Sequence, residues 1–513
     1  MPKEFVPCPE SGLREASLNN FGAGGANGHA IIEAADYHLP SRENPAFKSQ
    51  DHDFLLTLTA KEEKGIQASA RQVAQYLRTA GSSENMPDLA YTLNEKWSKM
   101  PWRTTVSARS VEELCQKLED PTLQATQKSA KVPRLGFVFT GQGVQWYAMG
   151  RELIAAYPVF YGALGRASRL LVSLGARWDL FEELHRDEKS SLVHKPYLGF
   201  PLSIIIQISL VELLRSWGII PTASTGHSSG EIPAAYAAGI LSFEDAVTIA
   251  YVRGEITSKY LEASASEKEG LGAMTALRVG KESAKAYISS VKAGTAVISC
   301  VNSPASVTIG GDVTGLEEIE ARANSEGVFY IRLDVPVAYH SPFMKPLASE
   351  YYSRLRDACF RSEVDALASG VIFASPVSGK RVVDFRELRR PEHWINSMIQ
   401  CVEFEDAVLS MLLDEPSERE AASPFSVDSI IEIAPYGALQ RPLRQILSHP
   451  TLKGNEITVG TCLKKNENAV LTMQQLAGEL FCQGFPIQLH PINFPHADDQ
   501  VTPRVVTGLP QYQ

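Results

Sequence analysis

The stretch Gly226-His227-Ser228-Ser229-Gly230-Glu231 constrains this chain more than any other. The pattern Gly-x-Ser-x-Gly sets a serine on the sharp turn that joins a strand to a helix. Glycines at 226 and 230 leave room for a strained backbone that side chains would crowd. An apolar-leaning run, 217–225, leads in, and an alanine-rich, helix-like run, 234–239, follows. A strand that passes through such a turn into a helix belongs to a layered α/β architecture. Ser228 then faces the free N–H groups and the positive dipole end of a helix, an arrangement that stabilises an oxyanion. An ordinary Gly/Ser turn would use the same six residues, so partners elsewhere must decide whether Ser228 is a nucleophile.

The 513 residues are enough for about two to four domains. An apolar share of 44% and a charged share of 21% are those of a soluble globular protein. Formal charge is −10, with no dense Lys/Arg stripe, which argues against a nucleic-acid surface. The longest apolar run, 200–220, is broken by Glu212 and Arg215 and reads as a buried amphipathic helix, not a membrane span. The first residues lack the apolar core of a secretory signal. Seven scattered cysteines without a Cys-x-x-Cys pair point to reduced thiols, a cytoplasmic location and no zinc or other metal site.

Along the chain, residues 1–45 hold a glycine loop, 20–28, followed by a short apolar strand. Its spacing is wrong for a dinucleotide fingerprint and no βαβ unit precedes it. Residues 46–130 predict a small α/β unit with a strand at 54–59 and helices at 66–77 and 111–118. The main domain, 131–460, opens on 135–139, a continuous apolar run typical of a buried parallel strand. Within it, 271–338 alternates strands (274–279, 296–301, 306–309, 329–333) with helices (282–291, 315–324). That βαββαβ order predicts a ferredoxin-like insert. Residues 461–513 end in an aperiodic, linker-like tail after Pro491.

A nucleophilic serine needs a base, an oxyanion hole and a group that selects the acyl chain. A second glycine turn, Thr140-Gly141-Gln142-Gly143, directly follows a strand, so the Gln142 N–H can pair with that of Ser229 around an oxyanion. Of eleven histidines, His340 stands where the insert re-enters the main domain. His29, His38, His449, His490 and His496 lie in loops or tails, and His227 is assigned to packing. Arg253, 25 residues past the serine, is a surface arginine on one reading; in an acyl pocket its guanidinium fork would grip a carboxylate bidentately.

Phe139-Thr-Gly-Gln-Gly-Val-Gln-Trp146, the elbow, Arg253, Asn302-Ser-Pro-Ala-Ser-Val-Thr-Ile309 and Ala338-Tyr-His-Ser341 occur in the order of malonyl-CoA:acyl-carrier-protein transacylases. The chain resembles most the acyltransferase region of fungal highly reducing polyketide synthases, over nearly its whole length. The resemblance implies an α/β-hydrolase-like core with a parallel sheet and the ferredoxin-like subdomain, 271–338. It identifies 1–45 as a ketosynthase C-terminal remnant, 46–130 as the ketosynthase–acyltransferase linker domain and 461–513 as the post-acyltransferase linker. It implies that Ser228 attacks malonyl-CoA with His340 as base, and that Gln142 and Ser229 hold the oxyanion. Arg253 would grip the malonate carboxylate, with Tyr339 and Phe200 lining the acyl pocket. A backbone carbonyl near 432–437 would orient His340. The malonyl group would pass to the phosphopantetheine thiol of an acyl carrier protein, with ketosynthase and dehydratase domains as further partners and no bound cofactor.

Some positions depart from the family. Phe200 stands where a pocket glutamine is usual, Ser224 and Thr225 where aliphatic residues are usual, and Pro233 enters the helix after the elbow. Ala434 and Tyr436 replace a glycine and a histidine. No ketosynthase body or carrier serine motif is visible, so the chain reads as a segment of a larger synthase. A catalytically weak scaffold and a serine hydrolase are the competing readings.

Overall fold

The structure is a computed structural model that describes residues 15–21, 27–33, 53–80, 85–264, 272–335, 337–360, 370–413, 425–454, 456–496 and 503–510. It divides into two units, one of residues 1–51 with 499–502, the other of 52–498 with 503–513. The described part of the first is a hairpin. Glu15–Phe21 runs antiparallel to Asn27–Glu33, with Glu15 opposite Glu33 and Phe21 opposite Asn27. The apolar run read as one strand is the second of the pair, and most of the glycine loop lies outside the described residues.

The second unit is built on a six-stranded sheet. Its order is Lys380–Arg381, Ile372–Ser375, Ala223–Gly226, Leu135–Phe139, Ser429–Ile433 and Thr458–Thr461. All pairings are parallel except that of the edge strand Lys380–Arg381. Every residue of the three central strands is buried, as expected where helices cover both faces. Phe139 pairs with Gly226, so these two neighbouring strands end together. The turn after Phe139 and the elbow after Gly226 therefore leave the same sheet edge side by side, where α/β sheets place their sites.

The apolar run at 200–220 forms the helix Pro196–Ser216, which is long and apolar enough to cross a membrane. Here 89% of its most apolar window is buried inside the protein, and it packs on the helix Phe243–Ala263 that carries Arg253. Ser242 caps that second helix by accepting the Asp245 N–H at 3.0 Å.

The insert has the ferredoxin-like order of elements. Ala273–Leu277, Lys281–Ser289, Ala296–Ser303, Ser306–Gly311, Val313–Ser325 and Tyr330–Arg332 alternate as βαββαβ. In space the four strands run fourth, first, third, second, all antiparallel. A fifth strand comes from the returning main chain: Val402–Glu403 pairs parallel with Ala296–Ser303, Val402 opposite Cys300. The sequence did not signal this two-residue strand. It fastens the insert to the segment that follows Gln400.

Ahead of the large sheet, Phe54–Ala60 pairs antiparallel with Trp102–Ala108, and the helices Glu63–Ala80 and Val111–Leu118 stand where periodicity predicted them. Trp102–Ala108 escaped prediction because its polar residues are buried on unusual partners. Arg103 donates to the Phe481 carbonyl at 2.7 Å and lies 4.5 Å over the Phe481 ring. Phe481 belongs to the C-terminal helix Ala469–Gln483, which covers this small sheet. Asn493 continues the contact, accepting from the Leu55 N–H and donating to the Leu55 carbonyl, each at 2.8 Å. The tail read as a linker is docked where it is described. The Arg504 N–H donates to Asp88 and that of Val506 to Thr92, at 2.7 and 2.9 Å. Side-chain acceptors on the small module hold this aperiodic strand of chain, which no hydrophobic period could reveal.

Candidate active site

The elbow is tight because two glycines let backbone meet backbone. A Cβ on Gly226 would sit 2.2 Å from the carbonyl carbon of Gly230, and one on Gly230 would sit 2.4 Å from the Phe139 oxygen. The strain falls on the residue between them. Ser228 has φ of 53°, and His340 has 57°; they are two of four described non-glycine residues in this left-handed region. Ser228 opens a single 3-10 turn that runs into the helix Glu231–Ala237. Pro233 is third in that helix, within the first turn, where a missing N–H is best tolerated. The unusual hydroxyls are satisfied: Ser224 donates to the Ala234 carbonyl at 3.1 Å and Thr225 to the Ala374 carbonyl at 2.7 Å.

Across 112 residues of chain, Ser228 Oγ and His340 Nε2 stand 2.5 Å apart. The other ring nitrogen of His340 lies 3.2 Å from the Gln400 carbonyl, and the His340 backbone N–H donates to the Met398 carbonyl at 3.2 Å. Gln400 therefore orients His340, which corrects the expectation of a carbonyl near 432–437. A donating Nδ1–H leaves Nε2 free to accept the Ser228 proton. His340 is buried. Burial first, and then the positive charge of Arg253, hold its imidazole well below the ordinary histidine range. It is neutral at physiological pH, as a general base must be.

The loop 432–437 has another task. Fully buried Glu432 accepts the Thr140 hydroxyl at 3.1 Å, the Leu439 N–H at 2.7 Å and the Gln440 amide at 2.9 Å. The Trp146 indole donates to the Pro435 carbonyl at 3.1 Å. These bonds clamp both ends of the 140–146 turn that carries Gln142. That turn abuts the elbow, since a Cβ on Gly141 would lie 2.7 Å from the His227 oxygen and 3.1 Å from Ser228 Cβ. Ser229, on the elbow itself, is buried. The substitutions Ala434 and Tyr436 thus sit in a loop that braces the turn, not one that holds His340.

Arg253 is 2% exposed, and its Nε has no hydrogen-bond partner. Among the described residues no carboxylate forms an ion pair with it, and its guanidinium lies 5.2 Å over the ring of buried Phe200. Burial lowers its pKa, while Tyr351, Tyr339 and Glu231 partly offset that. Tyr339 is buried too, and burial pushes its hydroxyl up to about 12, against the charge of Arg253 and the side chain of Gln142, which lower it.

Sequence reasoning missed three groups around this centre. The Gln400 carbonyl had no signal, because every residue offers one. His227, assigned to packing, lies edge-on to Phe404 with ring centroids 5.1 Å apart, but its Nε2 also bonds Asn302 of the insert at 2.8 Å. His393 was not singled out, and it meets Glu231 behind the elbow.

The pattern characteristic of acyl transferase domains matches residues 136–486, and that of a CurL-like polyketide synthase C-terminal region matches residues 54–118. The chain is 39% identical over 526 residues to the highly reducing polyketide synthase poxF of Penicillium oxalicum, covering 100% of this chain and 20% of that protein. It is 38% identical over 526 residues to the compactin diketide synthase mlcB of Penicillium citrinum, covering 98% of this chain and 20% of that one. The chain thus spans about a fifth of the length of these curated relatives. The acyltransferase domain of ZmaA shares its fold with a TM-score of 0.73 at 20% identity, over 89% of this chain and 99% of that one. The acyltransferase domain from module 8 of the salinomycin polyketide synthase does so with 0.71 at 24% identity, over 85% and 97%. The chain belongs to the acyl transferase domain family, and its relatives along its whole length are fungal highly reducing polyketide synthases.

Proposed function

We propose that this acyltransferase moves a malonyl group from malonyl-CoA, through an ester on Ser228, to the phosphopantetheine thiol of an acyl carrier protein. The observation that carries the malonyl reading is Arg253, a buried guanidinium that no carboxylate among the described residues pairs with. A lone buried charge is costly. An acyl group that brings its own carboxylate removes that cost on binding, and neither acetyl nor water does. This reading separates the enzyme from a hydrolase of the same elbow geometry.

His340 Nε2 takes the Ser228 proton as Oγ attacks the thioester carbon. The oxyanion that forms rests on the N–H groups of Gln142 and Ser229, each worth about 3 kcal/mol in such a hole. The same burial and Arg253 charge that keep His340 neutral make its imidazolium a ready acid. It returns the proton to the coenzyme A sulfur as the C–S bond breaks. In the second half, His340 takes the proton of the carrier thiol, the sulfur attacks the Ser228 ester, and the proton returns to Ser228 Oγ as the ester C–O bond breaks. Tyr339, next to His340 and near Arg253, is the residue we propose crowds an α-methyl branch. Ketosynthase and dehydratase partners and a cytoplasmic site complete the proposal, the latter supported by six cysteines among the described residues that are held as buried or half-buried thiols.

Incubation with malonyl-CoA and intact-mass measurement tests it. A malonyl adduct is expected on the native chain and not on Ser228→Ala. Free malonate without an adduct indicates hydrolysis instead, and no reaction at all indicates a scaffold.

A further inference from the structure

Three residues past Ser228, the Glu231 side chain turns into the core and is fully buried. Its Oε1 accepts the Ser375 hydroxyl at 2.5 Å and lies 3.0 Å from His393 Nε2. His393 sits on the helix Pro391–Ile399. That helix delivers the Met398 carbonyl to the His340 backbone, and the next residue is Gln400, whose carbonyl meets the His340 ring. One ion pair therefore ties the segment that carries the nucleophile to the segment that holds the base.

We propose that Glu231 and His393, seated on Ser375, form a brace that sets the approach of Ser228 to His340, so that both are positioning residues for acyl transfer. This rests on the Ser228–His340 pair and not on the malonyl reading. A buried ion pair is weak evidence for stability, because apolar residues of the same volume often do as well. What it supplies is a directional link, and this one spans the two reacting residues.

The groups that face the pair are few. Glu231 meets His393, Ser375, Ser397 and, at longer range, Arg253. His393 meets Glu231, Glu387 and the edge of the Trp394 ring. Burial pushes the Glu231 carboxyl up, but His393 and the two serines outweigh it and leave the carboxyl low. Burial pulls His393 down, but Glu231 and then Glu387 outweigh it and leave the imidazole raised. The brace is charged below that raised value and loses the His393 proton as pH rises through it.

The test is the second-order rate at which a fluorophosphonate labels Ser228 in the full chain, followed by intact mass from acid to alkaline pH. A fluorophosphonate reports the serine and its base without calling on acyl selectivity. The native chain is expected to show an alkaline decline in rate. His393→Gln keeps a donor but not the charge. It is expected to label on the order of a hundredfold more slowly, with the alkaline decline gone. Glu231→Gln should behave alike, and the double variant should be no slower than the slower single one, because the two act as a unit. Ser375→Ala, which removes the hydroxyl donor to that carboxylate and leaves the His393 contact, is a milder variant. It is expected to slow labelling by about threefold and to retain the alkaline decline. Native rates and an unchanged alkaline decline in His393→Gln would overturn the brace, as would additive effects in the double variant. If the native chain is not labelled at Ser228, or His340→Ala labels as fast, the Ser228–His340 pair itself is wrong and the brace falls with it.

Discussion

Two buried cations lie within electrostatic reach of the site, and the protein treats them in opposite ways. Arg253 has no carboxylate within ion-pair distance among the described residues, only aromatic rings and an unpartnered Nε. His393, also largely buried, rests 3.0 Å from Glu231. A fold can satisfy a buried charge when it needs to, as the second case proves. On the function proposed above, the first is a charge left open for a ligand, and the contrast then separates recognition from architecture.

Arg253→Ala should break the contrast most severely. Malonyl-CoA loading is expected to fall about a thousandfold, equivalent to about 4 kcal/mol, because a substrate carboxylate would be buried unpaired. Acetyl-CoA loading should change by less than about tenfold. Comparing acylation rates by intact mass reads both, and equal losses for the two acyl groups would show that Arg253 does not select charge. Arg253→Met should at the same time raise the free energy of urea unfolding by about 1 kcal/mol, since it removes an unpaired buried charge.

Glu231→Ala tests the other half. It strands His393, and the expected cost is about 3 kcal/mol of stability. The pH dependence has a definite sign. The depressed Glu231 carboxyl contributes stability above its unfolded value and loses it as pH falls through the folded one. The raised His393 contributes below its unfolded value and loses it as pH rises through the folded one. The native advantage in Tm over Glu231→Ala should therefore be widest between the ordinary carboxylate and imidazole values of 4.5 and 6.5, and narrow toward both extremes.

How much of this the sequence disclosed follows from where each signal resides. The elbow and the ferredoxin-like order were readable because glycine spacing and hydrophobic period are local, and the structure places those elements within a few residues of the predicted bounds. Arg253 was readable only as one member of an ordered set of motifs, since its burial depends on two packed helices. The Gln400 carbonyl was not readable, because a backbone acceptor has no side chain to announce it. Nor was Glu231–His393, whose partners stand 162 residues apart with nothing in either neighbourhood to join them. Asn302 appeared as part of a motif, but its bond to His227 needed the fifth strand and the insert to be set in place first.

Between these extremes lies the turn that carries Gln142. Thr140→Val removes the hydroxyl that Glu432 accepts and leaves the other two bonds to that carboxylate. One such bond is worth about 1 kcal/mol. Ser228 acylation at saturating malonyl-CoA should slow by about fivefold with little change in KM, because the oxyanion donor is displaced while the acyl pocket is not. A rise in KM alone would mean that the 432–437 loop serves the pocket rather than the turn.

The smallest effect expected concerns Phe200, which presents its buried ring to Arg253 at 5.2 Å and which the family resemblance sets where a glutamine is usual. An amide there would hydrogen-bond the guanidinium and use donors that a substrate carboxylate needs. A ring takes none of them, attracts the charge through its quadrupole and keeps water out. Phe200→Leu retains the apolar wall but loses the cation–π contact, worth about 1 kcal/mol at a desolvated site. Preference for malonyl- over acetyl-CoA should drop by about fivefold, with overall stability nearly unchanged. Phe200→Gln should lower the preference further, because the amide competes with the substrate for Arg253. If Phe200→Gln instead raises it, the ring is a wall and not a partner, and the unpaired state of Arg253 owes nothing to the aromatic face beside it.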